Sequence, residues 1–223
     1  RWERRPGMKP LDLIFPDPQR CLFCGRPFQP RSWGICPECL AALKDGDGRQ
    51  PLPMAYGDGA AAFRYQGAAR SCLLALKFQG ETWRAPMMAQ WMAYAAQAME
   101  PEAVAAVPIH PLRRMARGYA QCVLLAKGVA AALALPYEGE ALRRRRHAPP
   151  LYTLQADDHA RAVAGRFSAG KAADRLRGKH VLLVDDVCTT GSTLNECARI
   201  LVQAGVSRVS AVCFAVASGA YPV

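Results

Sequence analysis

The sequence predicts an α/β fold, a mostly parallel sheet flanked by helices, preceded by a small cysteine-rich module. Three observations carry that expectation. Residues 181–184 (VLLV) form a wholly apolar run with a β-branched valine at each end, as expected of a strand buried on both faces of a parallel sheet. Residues 193–204 follow with helical spacing at Leu194, Cys197, Ala198 and Leu201, and Gly205 stands where a C-cap belongs. A second buried strand, 206–216, completes a strand–helix–strand unit, whose crossover demands parallel strands. Near the start, Cys21/Cys24 and Cys36/Cys39 form two CxxC pairs outside any such pattern.

The remaining elements follow in chain order. With 223 residues, the chain is long enough for one well-buried domain plus an appendage. The stretch 45–53 (DGDGRQPLP) gathers turn and breaker residues and reads as a linker. It divides residues 1–50, the four-cysteine module and linker, from residues 51–223. Residues 85–99 and 123–135 read as alanine-rich core helices, 103–109 (AVAAVPI) as a strand entering a loop, and 118–135 as a helix. No apolar run approaches the ~18 residues of a membrane span, so membrane insertion is not expected.

The formal net charge of +11 attracts polyanions; a phosphate-rich small molecule, a nucleic acid and a membrane surface all qualify. Nine cysteines, an odd number with no visible secretory signal, fit a reducing cytoplasm better than a disulfide scaffold. In the CxxC pairs, each pair can turn two thiolates inward, with Gly25 easing the first turn. Four thiolates then complete a closed tetrahedral zinc site of structural type. Two redox-active CxxC motifs are the rival reading, although such motifs belong in a βαβ context that is missing here.

The chemistry concentrates in residues 181–193, VLLVDDVCTTGST. A buried strand ends in adjacent carboxylates, Asp185 and Asp186, and Thr189-Thr190-Gly191-Ser192-Thr193 then leads into a helix. Free backbone N–H groups at a helix start, with hydroxyls beside them and a glycine permitting close approach, make a phosphate cradle. Paired carboxylates nearby can accept hydrogen bonds from vicinal sugar hydroxyls or help to hold Mg²⁺ through water. A Walker A reading fails for want of GxxxxGK.

Further along, 107–112 (VPIHPL) precedes Arg113, Arg114 and Arg117, a reasonable pyrophosphate site unless these arginines only coat a helix. Lys77 follows an apolar helical stretch and is either a ligand-facing cation or a snorkelling surface lysine. Residues 143–147 (RRRRH) form a basic block without regular structure. That block reads as a lid over phosphates, a nucleic-acid contact or an exposed loop.

The thirteen residues 181–193 closely resemble the phosphoribosyl pyrophosphate (PRPP) signature of type I phosphoribosyltransferases. The resemblance implies that Asp185 and Asp186 face the ribose hydroxyls and that Thr189, Thr190, Gly191, Ser192 and Thr193 surround the 5-phosphate. It also implies that Mg²⁺ and basic groups stabilise departing pyrophosphate, with Arg117 joining the two acids as catalytic residues and Lys77, Arg113, Arg114 and Arg145 contacting pyrophosphate or forming the lid. Taken with the cysteine module, AFRYQGAARSCLLALKFQG (62–80) and VPIHPLRRMARGYAQ (107–121), the whole order resembles the ComF family, phosphoribosyltransferase-like proteins associated with competence and DNA uptake. The fold implied is therefore the type I phosphoribosyltransferase fold. This chain departs from the family's RGFNQ at Tyr119 and Ala120, and from its lid pattern at Leu151, His159 and Ala162. Two expectations follow: a Mg²⁺-dependent phosphoribosyltransferase of unknown acceptor, or a PRPP- or nucleotide-binding accessory protein that contacts single-stranded DNA or a competence-machinery protein.

Overall fold

The computed structural model describes residues 20–28, 34–43, 48–144 and 165–217. A five-stranded sheet runs in the order β1-β2-β7-β6-β3, with β1 (Gln50–Pro51), β2 (Gly59–Arg64), β3 (Ala103–Ala106), β6 (His180–Cys188) and β7 (Arg208–Val216). β1 is an antiparallel edge; the other four strands are parallel. A two-stranded antiparallel sheet, β4 (Leu142–Arg144) with β5 (Phe167–Ala169), stands apart from it. The helices are α1 (Pro37–Ala41), α2 (Gly67–Phe78), α3 (Ala85–Ala96), α4 (Pro111–Arg117), α5 (Gln121–Ala132) and α6 (Ser192–Gln203).

Alternation along the strands divides the core into two layers, as a pleated sheet covered on both faces requires. Ala60, Ala62, Phe63, Val104, Leu182, Val184, Val212 and Phe214 pack under α2, α3 and α5. Ala61, Ala103, Ala105, Val181, Leu183, Ala211 and Cys213 pack under α6 and β5. Small residues set the spacing between helices: a Cβ added at Gly128 of α5 would lie 2.5 Å from the Ala89 Cβ of α3. Close packing of this kind leaves no room for an extra methyl group.

Several boundaries differ from the sequence expectation. The strand expected at 181–184 runs on to Cys188, because β7 continues beside it and pairs Val187 with Ala215 and Cys188 with Val216. Asp185 and Asp186 therefore sit inside the strand rather than beyond it. The helix expected at 118–135 begins only at Gln121; Gly118, at φ 77°, closes α4 as a left-handed C-cap and separates the two helices. Arg143 and Arg144, expected to lack regular structure, are in β4, opposite Ser168 and Phe167.

The cysteine segment is packed on the parallel-sheet domain. Cys21, Leu22, Phe23, Ile35 and Cys36 belong to the same apolar cluster as Phe63 and Phe214, and the Phe23 and Phe63 rings meet edge-on at 5.4 Å. Arg84, 7% exposed, donates to the carbonyls of Leu22 and Phe23, pairs with Glu81 at 2.5 Å and lies over the Trp83 ring. One buried guanidinium thus ties the knuckle to the start of α3.

Candidate functional site

The site forms at the carboxyl end of β6, where open α/β sheets bind ligands. Asp186 shares the face of Leu182 and Val184 and so points toward α2 and α5. There it accepts from the Lys77 Nζ at 2.8 Å and from the Gln121 Nε2 at 2.9 Å. Lys77 is the penultimate residue of α2, and burial alone would lower its pKa, but the Asp186 carboxylate reverses that and raises it. Asp185 accepts from the buried Cys122 thiol at 3.1 Å and from the Asp186 backbone amide at 2.8 Å. Burial, then the neighbouring Asp186 charge, push Asp185 up to about 7. The Cys122 thiol, pinned between burial and two carboxylates, is held well above its ordinary value and stays protonated.

The loop 189–193 then turns into α6. Gly191 is at φ 76°, and a Cβ there would lie 2.8 Å from the Pro53 carbonyl oxygen and 2.9 Å from its Cγ. Glycine is needed on both counts, backbone conformation and close approach. Thr190 and Ser192 exchange a hydroxyl hydrogen bond at 2.9 Å. Asn195, one turn into α6, clamps the loop from behind: its Nδ2 donates to the Pro53 carbonyl and its Oδ1 accepts from the Ala55 amide. Thr189 and Thr190 remain exposed.

A cleft of about 590 Å³ opens beside Lys77, lined by Lys77, Phe78, Arg113, Arg117 and Tyr119 among others. Tyr119 donates its hydroxyl to the Leu76 carbonyl, holding the end of α2 against the turn after α4. Arg117 lies 5.0 Å over the Phe78 ring, and its Nη1 is buried with no hydrogen-bond partner among the described residues. Arg113 also lines the cleft, whereas Arg114 is an exposed residue of α4 outside its lining. Arg145 lies outside the described residues, as do His147, Leu151, His159 and Ala162.

The four sulfurs of Cys21, Cys24, Cys36 and Cys39 lie within 4.8 Å of one another, with Cys24 and Cys36 at 3.8 Å. A tetrahedral Zn–S length of about 2.3 Å implies sulfurs roughly 3.8 Å apart, so the donor set fits a closed metal site. Asp185 and Asp186 with Cys122 also come within 4.8 Å of one another. That set suits Mg²⁺ poorly as a protein-only cage, since a thiol is a soft donor and Lys77 already holds Asp186; a magnesium ion here must take most of its oxygens from a ligand and water.

Local sequence pattern does not single out Gln121 or Cys122 as site residues. Gln121 stands in the sequence only as the last residue of the segment 107–121, and Cys122 has mainly small or apolar neighbours. Both contact acids more than sixty positions away, a proximity that no local pattern encodes.

Residues 120–222 match the family model described as a phosphoribosyl transferase domain. Competence protein F of Haemophilus influenzae is 32% identical over 140 residues, 60% of this chain and 61% of that protein. DNA utilization protein YhgH of Escherichia coli K12 is 31% identical over 113 residues, 51% of this chain and 48% of that protein. The Salmonella typhimurium protein of the same name is 25% identical over 221 residues, covering 88% of this chain and 96% of its own length. The first two alignments thus span between about half and three-fifths of those relatives. Among solved structures, the glutamine PRPP amidotransferase of B. subtilis aligns over 58% of this chain and 26% of its own, at 24% identity and a TM-score of 0.41, a likeness too slight to add to the strand order.

Proposed function

We propose that the chain is a phosphoribosyltransferase-like protein of the ComF family, that it binds the magnesium complex of PRPP, and that it transfers the phosphoribosyl group to an acceptor. The observation that carries this reading is the juxtaposition, at one strand end, of Asp185–Asp186, the Thr189–Thr193 loop and the cations of the adjacent cleft. In this reading the backbone amides and hydroxyls of Thr189, Thr190, Gly191, Ser192 and Thr193 hold the 5-phosphate. Asp185 and Asp186 accept from the ribose hydroxyls and orient the anomeric carbon. Lys77, Arg113 and Arg117 stabilise the charge that accumulates on pyrophosphate as it departs, the preorganised electrostatic role that dominates such reactions. Arg114 and Arg145 complete the proposed set of pyrophosphate or lid contacts. Bound Mg²⁺ would neutralise pyrophosphate oxygens; the four cysteines would hold a structural zinc ion.

Calorimetry with Mg·PRPP, comparing the wild type with Asp185→Asn/Asp186→Asn, tests the assignment. Binding lost in the double variant supports it, and unchanged affinity sinks it. Pyrophosphate release on adding candidate bases or amines separates a transferase from an accessory binder.

One observation favours a second reading, contact with single-stranded nucleic acid. Phe78 is 70% exposed at the cleft rim beside the Arg117 guanidinium, with Leu112 and Met115 also exposed on α4. An aromatic face next to cations is the minimal stacking platform for a base. Affinity for an oligonucleotide that falls steeply with salt and drops in Phe78→Ala supports this reading.

A further inference from the structure

β4 and β5 bring together a second group of cations that the cleft does not contain. Arg166, just before β5, is 4% exposed, and its Nε is buried without a hydrogen-bond partner. Arg144 is paired in register with Phe167, the residue after Arg166, and its guanidinium lies 5.2 Å over the Phe167 ring. Among the described residues neither arginine forms an ion pair, and neither does Arg113. Among the described residues, no acid pairs with either arginine. Glu196 holds Arg199 through both oxygens, at 2.7 and 2.9 Å, and accepts from the Gly165 amide. Asp185 accepts from the Cys122 thiol and a backbone amide through Oδ1, and although its charge acts on Arg144, no ion pair joins the two among the described residues.

We propose that Arg166 and Arg144, with Phe167 beneath Arg144, form a built oxyanion site next to the acid pair, occupied in the working protein by a phosphate- or pyrophosphate-type group. A guanidinium buried without a carboxylate is strongly unfavourable unless something else supplies the negative charge, and a planar fork with five donors matches a phosphate face. Crowding points the same way: burial first, then the charges of Arg113 and Arg166, lower the pKa of Arg144. Because Arg113 also lines the cleft beside Lys77, the site adjoins the proposed pyrophosphate position. The anion is therefore either the pyrophosphate of PRPP or a phosphate carried by a second ligand. The inference rests on the PRPP reading only for that choice of source.

The test uses the full chain with inorganic phosphate, pyrophosphate and Mg·PRPP as probes, read by thermal shift and calorimetry, for wild type, Arg166→Met and Arg144→Met. Removing a buried, unpaired charge should leave the ligand-free protein as stable as the wild type or more so. It should also weaken pyrophosphate binding about 10- to 100-fold, the value of one or two charge-assisted hydrogen bonds. Arg144 is only partly buried, so Arg144→Met tests the site even if Arg166→Met fails to fold. Parallel losses for pyrophosphate and Mg·PRPP, with the two competing, assign the site to PRPP. Phosphate that still binds at saturating Mg·PRPP, and is lost in Arg166→Met, assigns it to a second ligand. Pyrophosphate and phosphate affinities unchanged within twofold in both variants, or no binding of either probe to wild type, overturn the inference. Asp185→Asn/Asp186→Asn keeps the two proposals apart, since it should abolish Mg·PRPP binding while leaving the pyrophosphate-induced shift.

Discussion

The Lys77–Asp186 pair gives the sharpest quantitative expectation. The two charges are 2.8 Å apart, with side-chain exposures of 18% and 9%. At an effective dielectric of about 20 their gross attraction is roughly 6 kcal/mol, of which desolvation cancels a large part. Truncating the lysine leaves Asp186 buried beside Asp185 with Gln121 as its remaining side-chain donor. Breaking a buried pair from one side typically costs about 3–5 kcal/mol; the partial exposure of Lys77 puts Lys77→Met near the lower end, about 3 kcal/mol at pH 8. The cost must shrink at pH 5.5, because Lys77 lowers the pKa of Asp185 and its loss lets the acid pair retain a proton. Lys77→Met/Asp186→Asn removes both charges while keeping an acceptor for Gln121, and should recover about 2 kcal/mol of the loss. Urea unfolding of the wild type, Lys77→Met, Asp186→Asn and the double variant at both pH values measures the coupling. A single variant that loses under about 1 kcal/mol at pH 8, or a double variant whose loss is the sum of the singles, would falsify the claim that Lys77 is the internal counter-ion of the site.

Three further outcomes follow from the packing. Gly191→Ala should cost about 1–3 kcal/mol, from a left-handed backbone and a Cβ pressed onto Pro53, and should weaken Mg·PRPP binding; equal stability by urea denaturation would remove the need for glycine there. Chelation of the zinc proposed for the four cysteines should lower the melting temperature of the whole chain in one transition, because Leu22 and Phe23 share the central core, whereas Arg84→Leu should split the unfolding into two steps visible by calorimetry. His180 is buried against the Ser210 hydroxyl at 2.8 Å, and burial, then Arg208, depress its pKa. The unfolded chain therefore binds more protons than the folded one below about pH 6.5, so stability is full above that value and is lost as pH falls through the depressed folded pKa. His180→Gln should flatten this stretch of the stability–pH curve, and an unaltered slope would assign it to another group.

How far the sequence foretold this molecule depends on the range of the interaction concerned. Residues 181–184 declared a strand because four branched apolar side chains in a row suit a site buried on both faces. β2, GAAAFR, escaped notice because alanine has little intrinsic strand preference; its conformation comes from pairing with β7, 152 positions away at Gly59 and Ala211. The acid pair and the Thr-Gly-Ser loop were legible since their chemistry is contiguous. Lys77 was legible only as a candidate, its partner lying 109 positions away. Arg143 and Arg144 looked like part of a charge run, and only the cross-strand positions of Ser168 and Phe167 turn them into a strand. Arg166 carried no signal at all, since a solitary arginine becomes informative only once it is seen buried without an acid.

The charge pattern around β6 bears on the order of events at the site. In the ligand-free protein both oxygens of Asp186 are already engaged, by the Lys77 ammonium and the Gln121 amide, so a sugar alone would have to compete for them. A phosphorylated sugar meets different terms. In the proposed reading, its anionic groups would offer Lys77 an alternative partner and give Arg113, Arg117, Arg144 and Arg166, which form no ion pair among the described residues, a partner of negative charge. In the proposed reading, Lys77 would move its interaction to the ligand and release Asp186 toward the ribose hydroxyls. Phosphate recognition and ribose recognition are then coupled through one lysine, and a ligand lacking the anion should bind more weakly than the loss of its phosphate contacts alone would account for.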